Sequence, residues 1–151
     1  MKRLGSILLL AIVMTLLLVF GGCKHKSEEK TYIIGSSNDL IHALEDKNYK
    51  IEYIKPHKDE VAHSFFSVYA KRIKVDGEML AIYEFENSDV AESQANTISK
   101  DGYSIGNALI SWVDKPHFFK KEKTIVEYIG SKKSLIKDLE AILGKSLTEQ
   151  E

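Results

Sequence analysis

Asp76-Gly77 stands between two apolar runs, Ile73-Lys74-Val75 and Met79-Leu80-Ala81-Ile82. Both central positions of a tight two-residue hairpin turn need positive φ, which Asp and Gly accept at low cost. The dipeptide therefore predicts an antiparallel strand pair in mid-chain. A second hairpin is expected to join Leu109–Val113 to Thr124–Ile129, with Pro116 and the lysine-rich Lys120–Lys123 between them. Pro116 can begin an edge strand but cannot sit in a central one, because it has no N–H for the ladder.

Between these strands the pattern changes to helix. Thr31-Tyr32-Ile33-Ile34 leads through Gly35-Ser36 to Leu40, Ile41 and Leu44. Ile125-Val126-Glu127-Tyr128-Ile129 leads through Gly130-Ser131 to Leu135, Ile136, Leu139, Ile142 and Leu143. A looser copy runs from Leu80–Phe85 through Asn87-Ser88 to Val90, Ala91, Ala95 and Ile98. Apolar spacings of three and four mark amphipathic helices. Ser and Asp ahead of each helix predict N-caps, and Gly102 and Gly144 predict C-terminal stops. Alternation at Tyr49, Ile51 and Tyr53, and at Phe66, Val68 and Ala70, predicts further strands.

The expected class is α+β: a mainly antiparallel sheet built of hairpins, with about three helices on one face, and a ferredoxin-like arrangement as one option. Ala81, Tyr83 and Phe85 should share one face, and Leu80, Ile82 and Glu84 the other. Val126 and Tyr128 should likewise oppose Ile125, Glu127 and Ile129. Both faces are apolar at their centre. Either the third helix or a loop covers the second face, or that face is an exposed patch for a partner.

The N-terminus carries a different kind of signal. Lys2 and Arg3 precede an uncharged, mostly apolar run from Leu4 to Phe20, then Gly21-Gly22-Cys23, then the polar Lys24–Lys30. Cys23 is the only cysteine of the chain. This order resembles the lipobox of bacterial lipoproteins, although Phe20 stands where that motif usually has Leu. The resemblance implies a signal peptide over 1–22, cleavage between Gly22 and Cys23, and a diacylglyceryl group on Cys23 as the lipidation site. Two acyl chains suffice for stable anchoring, since each buried methylene contributes about 0.8 kcal/mol. The expected location is the outer face of the cytoplasmic membrane. The competing readings are an uncleaved signal anchor, since about 20 apolar residues can span a bilayer, and an ordinary secretory peptide with a fortuitous Cys.

Cleavage there leaves 129 of the 151 residues: a tether over 23–30, one domain over 31–146 and a tail over 147–151. A chain of that size buries enough surface to need no disulfide, and no second cysteine exists to form one. Losing Lys2 and Arg3 takes the basic side chains from 21 to 19 against 22 acidic, a net charge of −3. The signs are interspersed, as in Lys120-Lys121-Glu122, which is a solubility pattern and not a nucleic-acid footprint. The short run Lys71-Arg72 with Lys74 fits a solvated strand face.

Candidate chemistry is sparse. His57-Lys58-Asp59-Glu60-Val61-Ala62-His63 gathers two imidazoles and two carboxylates, and a helical turn would bring Asp59 and His63 together as metal ligands. A solvated polar loop after Pro56 is the simpler expectation. Trp112-Val113-Asp114-Lys115-Pro116-His117-Phe118-Phe119 is the densest aromatic segment. From it Trp112, His117, Phe118 and Phe119 are taken as a candidate binding face. His117 could act as acid, base or ligand, but a packed histidine with a satisfied hydrogen bond is the simpler expectation. Ser64, Ser67, Ser104 and Ser111 lack a nucleophile-elbow setting, so no catalytic residue and no cofactor are assigned.

Several stretches resemble a family of small bacterial lipoproteins over roughly residues 37–146. They are Ser64-Phe65-Phe66-Ser67-Val68, Tyr83-Glu84-Phe85, Ile98-Ser99-Lys100-Asp101-Gly102 with Ile105-Gly106, the Trp112–Phe119 segment, Ile125–Gly130, and Leu143-Gly144. The resemblance implies an exported, anchored domain and brings no activity with it. The expected function is a non-enzymatic binding or accessory module that meets an envelope protein or a small ligand. The alternatives are an envelope-acting, metal-assisted hydrolase using His57, Asp59, His63 or His117, and a self-assembling envelope protein.

Overall fold

The computed structural model describes residues 31–55 and 65–149. Its helices are α1 (Ser37–Asp46), α2 (Ser88–Ala95) and α3 (Lys133–Leu143). Its strands are β1 (Ile51–Tyr53), β2 (Ala70–Val75), β3 (Glu78–Glu84), β4 (Ser104–Ile105), β5 (Ala108–Leu109), β6 (Pro116–Lys121) and β7 (Thr124–Ile129). Five strands form one sheet in the order β1-β2-β3-β7-β6, and β4 and β5 form a small separate ladder. Every pairing is antiparallel. The class is α+β. The described strands include no parallel pair, which a ferredoxin-like sheet needs at its centre. No described helix is long and apolar enough to cross a membrane.

Asp76 and Gly77 form the turn between β2 and β3, with φ of 49° and 87°. The same Asp76 holds the start of β1: its N–H donates to the Lys50 carbonyl at 3.0 Å, and its Oδ1 accepts from the Lys50 N–H at 2.9 Å. The second hairpin departs from expectation. β7 pairs with Pro116–Lys121 through a turn at Glu122-Lys123, and Leu109 belongs to the separate β4–β5 ladder. Pro116–Lys121 is only two residues from β7, the connection length a hairpin favours, and Leu109–Val113 is much farther from it along the chain. Pro116 does begin an edge strand, where its missing N–H costs nothing.

The helices do not lie on one face. Leu40, Ile41 and Leu44 of α1 and Leu135, Leu139, Ile142 and Leu143 of α3 pack on Ile73, Val75, Leu80, Ile82, Val126, Tyr128 and Phe119. α2 packs on the other face, where Ala91 and Ala95 meet Ala81, Tyr83, Phe85, Phe118 and Ile125. Phe66, Ile105 and the half-buried Trp112 complete that second cover. The second face is therefore closed, as a helix-or-loop cover requires, and is not an exposed patch.

Three local expectations are corrected. Thr31–Ile34 forms no strand, although Ile34 is buried in the first core. Ser131 does not cap α3: its hydroxyl donates to Asp114 at 2.8 Å, and the N-cap is Lys132, which makes no side-chain cap bond and whose own N–H donates to the Tyr128 hydroxyl at 3.1 Å. Ser36 and Asn87 do cap α1 and α2. Gly144 ends α3, whereas α2 already ends at Asn96 and Gly102 lies in a later turn.

Candidate functional site

α3 and the residues after it build a cleft of about 360 Å³ over the edge strand β6. Its walls are His117 of β6, Ile136 and Glu140 of α3, and Lys145, Ser146, Thr148 and Glu149 of the C-terminal segment. Gly144 turns the chain back so that this segment runs along β6. There it satisfies the outward carbonyls that an edge strand otherwise presents to solvent. The Leu147 N–H donates to the Phe118 carbonyl at 2.7 Å, and Ser146 Oγ donates to the same oxygen at 3.1 Å. Thr148 Oγ1 donates to the Pro116 carbonyl at 3.0 Å, and the Glu149 N–H to the Lys100 carbonyl at 2.7 Å. Residues 147–149, read from sequence as part of a tail, are thus docked, and Thr148 is buried.

His117 forms the floor of the cleft and is only 6% exposed. One ring face stacks on Tyr128, at 5.9 Å between centroids and 20° between planes. Its Nε2 lies 3.1 Å from the Gly130 carbonyl. A carbonyl only accepts, so Nε2 carries the proton, and in the neutral ring Nδ1 is left as the acceptor. Nδ1 has no hydrogen-bond partner among the described residues. Burial lowers the pKa of this ring below the ordinary histidine value, outweighing the Gly130 carbonyl that favours the charged form.

The floor is fixed from below. Tyr128 is fully buried, donates to Glu78 Oε2 at 3.0 Å, and accepts from the Lys132 N–H. Burial first, and then the Glu78 carboxylate, push its phenol up to about 12. Gly130 follows in the chain because the Tyr128 ring and hydroxyl fold back over it, leaving no room for a Cβ.

The four residues of the expected binding face do not come together. Phe118 and Phe119 are both fully buried on opposite faces of the sheet, because neighbours on a strand alternate. Trp112 belongs with Phe118, 6.2 Å away by ring centroids, and donates its indole N–H to the Gly102 carbonyl at 2.8 Å. Of the four, only His117 reaches the cleft. Gly22, Cys23, His57, Asp59 and His63 lie outside the described residues. Among the described residues no group of three or more His, Cys, Asp or Glu is placed to hold a metal ion.

A second cluster of polar groups lies on the α2 face. Arg72, Ala81, Glu127 and Phe118 are neighbours across four strands. The Tyr83 hydroxyl donates to Glu127 Oε2 at 3.0 Å. Burial raises the pKa of this carboxyl, while the Tyr83 hydrogen bond and the Arg72 charge oppose the rise. The Tyr83 phenol is raised in turn by burial and by the Glu127 charge. Farther along the chain, Leu109 and Val113 stand 90% and 98% exposed.

Sequence reasoning identified His117 but missed Ile136, Glu140 and the segment Lys145–Glu149 as its surroundings. A usable signal was present. Gly144 marks a chain reversal, and Ser146 and Thr148 are spaced to put two hydroxyls on one side of an extended segment. No protein family, curated protein or solved structure matches this chain.

Proposed function

We propose that this chain is a lipid-anchored extracytoplasmic protein whose domain is a non-enzymatic binding or accessory module, with the cleft over His117 as its ligand site. One observation carries the binding part. A buried imidazole with one nitrogen unpartnered among the described residues lines a cleft whose volume lies within the usual range of small-molecule sites, about 300–1,000 Å³. Its other nitrogen is held by a backbone carbonyl. That fixes the ring but supplies no negative charge to support an imidazolium, as a carboxylate partner does in histidine acid–base catalysis. The anchor rests on the Gly21-Gly22-Cys23 motif behind its apolar run.

Affinity capture from membranes tests the reading, with the lipidated chain as bait and Cys23→Ser as control. The Cys23→Ser chain should carry no lipid label, because oxygen does not replace the thiol as acyl acceptor. A processed, lipid-labelled Cys23→Ser species would remove the anchor. A hydrolase activity abolished by His117→Ala would replace the binding module with an enzyme.

A further inference from the structure

The groups around His117 select a chemical class of ligand. Nδ1 has no partner among the described residues and is an acceptor in the neutral ring, so a ligand that reaches it must bring a donor. The exposed lip carries two carboxylates, Glu140 and Glu149, against one ammonium, Lys145. Ser146 and Thr148 spend their hydroxyl protons on the Phe118 and Pro116 carbonyls. A carboxylate or phosphate would therefore meet a lone pair below and net negative charge above. A positively charged donor meets the reverse. Ile136 supplies an apolar wall for a short alkyl body.

We propose that the cleft binds the ammonium group of a small primary amine, with Nδ1 of His117 as the floor acceptor and Glu140 and Glu149 as counter-charge. This rests on the reading of the cleft as the ligand site. The same ammonium chemistry occurs in free amines and in the ethanolamine headgroup of a lipid, and the test separates the two sources.

The measurement is an NMR titration of the full chain in detergent, following the His117 ring Cε1–H signal, assigned by its loss in His117→Gln. The probes are n-butylamine, butyrate, dihexanoyl phosphatidylethanolamine and its phosphatidylcholine counterpart. A saturable shift with n-butylamine and none with butyrate is expected. The exposed variant Glu140→Gln should weaken it about two- to fivefold, the range of a solvent-screened charge pair. A shift with the ethanolamine lipid alone assigns the ammonium to a headgroup. Equal shifts with butyrate or with the choline lipid overturn the primary-amine class while leaving the cleft as a ligand site. No saturable shift with any probe overturns both. An unchanged affinity in Glu140→Gln overturns the role given to the carboxylates.

Discussion

The two faces of the sheet are closed in different ways. On the α1/α3 face, long aliphatic side chains from two amphipathic helices meet Ile73, Val75, Leu80, Ile82 and Val126. Lys47 and Tyr49, just beyond α1, tie it to α3 through Asp138, each at 2.8 Å. On the α2 face the helix offers only Ala91 and Ala95, and aromatic rings fill the remaining space: Phe66 packs edge-on against Tyr83 at 4.7 Å and Phe85 at 6.1 Å. That face also carries the half-buried Glu127 carboxylate. Two amphipathic helices seal one side, and one short helix with irregular chain carrying Phe66 and Trp112 seals the other. The irregular part of the second cover has no periodicity to read.

Phe118 and Phe119 offer the largest test of this contrast, because they are adjacent, equally buried and on opposite faces. Truncation of a buried Phe to Ala costs about 3–5 kcal/mol, and the cost falls where the surroundings can collapse into the void. Phe119→Ala, in the core that the two amphipathic helices cover, should fall at the upper end of that range. Phe118→Ala should fall at the lower end, because Trp112 and its loop can move inward. Denaturant unfolding of both variants measures the difference. A Phe118→Ala loss equal to or above that of Phe119→Ala would show that the irregular cover is as rigid as the helical one.

The joints leading into the helices extend the comparison at smaller scale. β7 enters α3 through Gly130, which lies under the Tyr128 ring, and the Tyr128 hydroxyl takes the Lys132 N–H. β3 enters α2 through Asn87, whose Oδ1 accepts from the Val90 N–H at 2.9 Å. Gly130→Ala forces a methyl into the phenol and should cost about 1–3 kcal/mol, the range for overpacking. Asn87→Ala removes one cap and should cost about 1 kcal/mol. Thermal unfolding should rank them in that order, and a reversed order would show that Tyr128 swings aside freely.

These pairs also show what the sequence made legible. Local chemistry was readable where one residue type answers one backbone need: Asp76-Gly77 at the hairpin, Pro116 at an edge, Leu135 and Leu139 on a helix face. Arrangements that depend on distant chain were not. Ser131 looks like a cap for α3, but its hydroxyl donates to Asp114 and Lys132 takes the N-cap position with no side-chain cap bond. The cleft was half legible: His117 stood out as a residue, while its walls come from a segment whose docking depends on the unpaired carbonyls of β6.

Charge buried on the two faces gives a third contrast. Burial raises the Glu127 pKa, so its protonated form is favoured in the folded state. Its contribution to stability is fully present below the unfolded carboxyl value, about 4.3, and is lost as pH rises through the folded value. Glu127→Gln removes that loss. Its melting temperature relative to the parent should be higher at pH 7 than at pH 4. The opposite trend would mean that ionised Glu127 is held more strongly by Arg72 than burial penalises it.

The α3 face carries the converse case in His117, with the smallest expected effect. Its pKa is lowered, chiefly by burial, so the neutral ring belongs to the folded state. The stability tied to it is present above the unfolded histidine value of about 6.5 and is lost as pH falls through the folded value. Asp114 and Glu140 act against that loss by favouring the imidazolium, and Lys115 acts with it. His117→Gln, which cannot charge, should therefore lose less stability than the parent between neutral pH and pH 5, whatever its own cost at pH 7. The His117 Cε1–H signal should titrate with a midpoint below about 6.5. A midpoint above that value would show that the carboxylates govern the cleft, and the ring would then present a second N–H to a ligand in place of a lone pair. That result would also reverse the sign of ligand charge inferred for the site, so one titration curve tests both the burial and the chemistry of the floor.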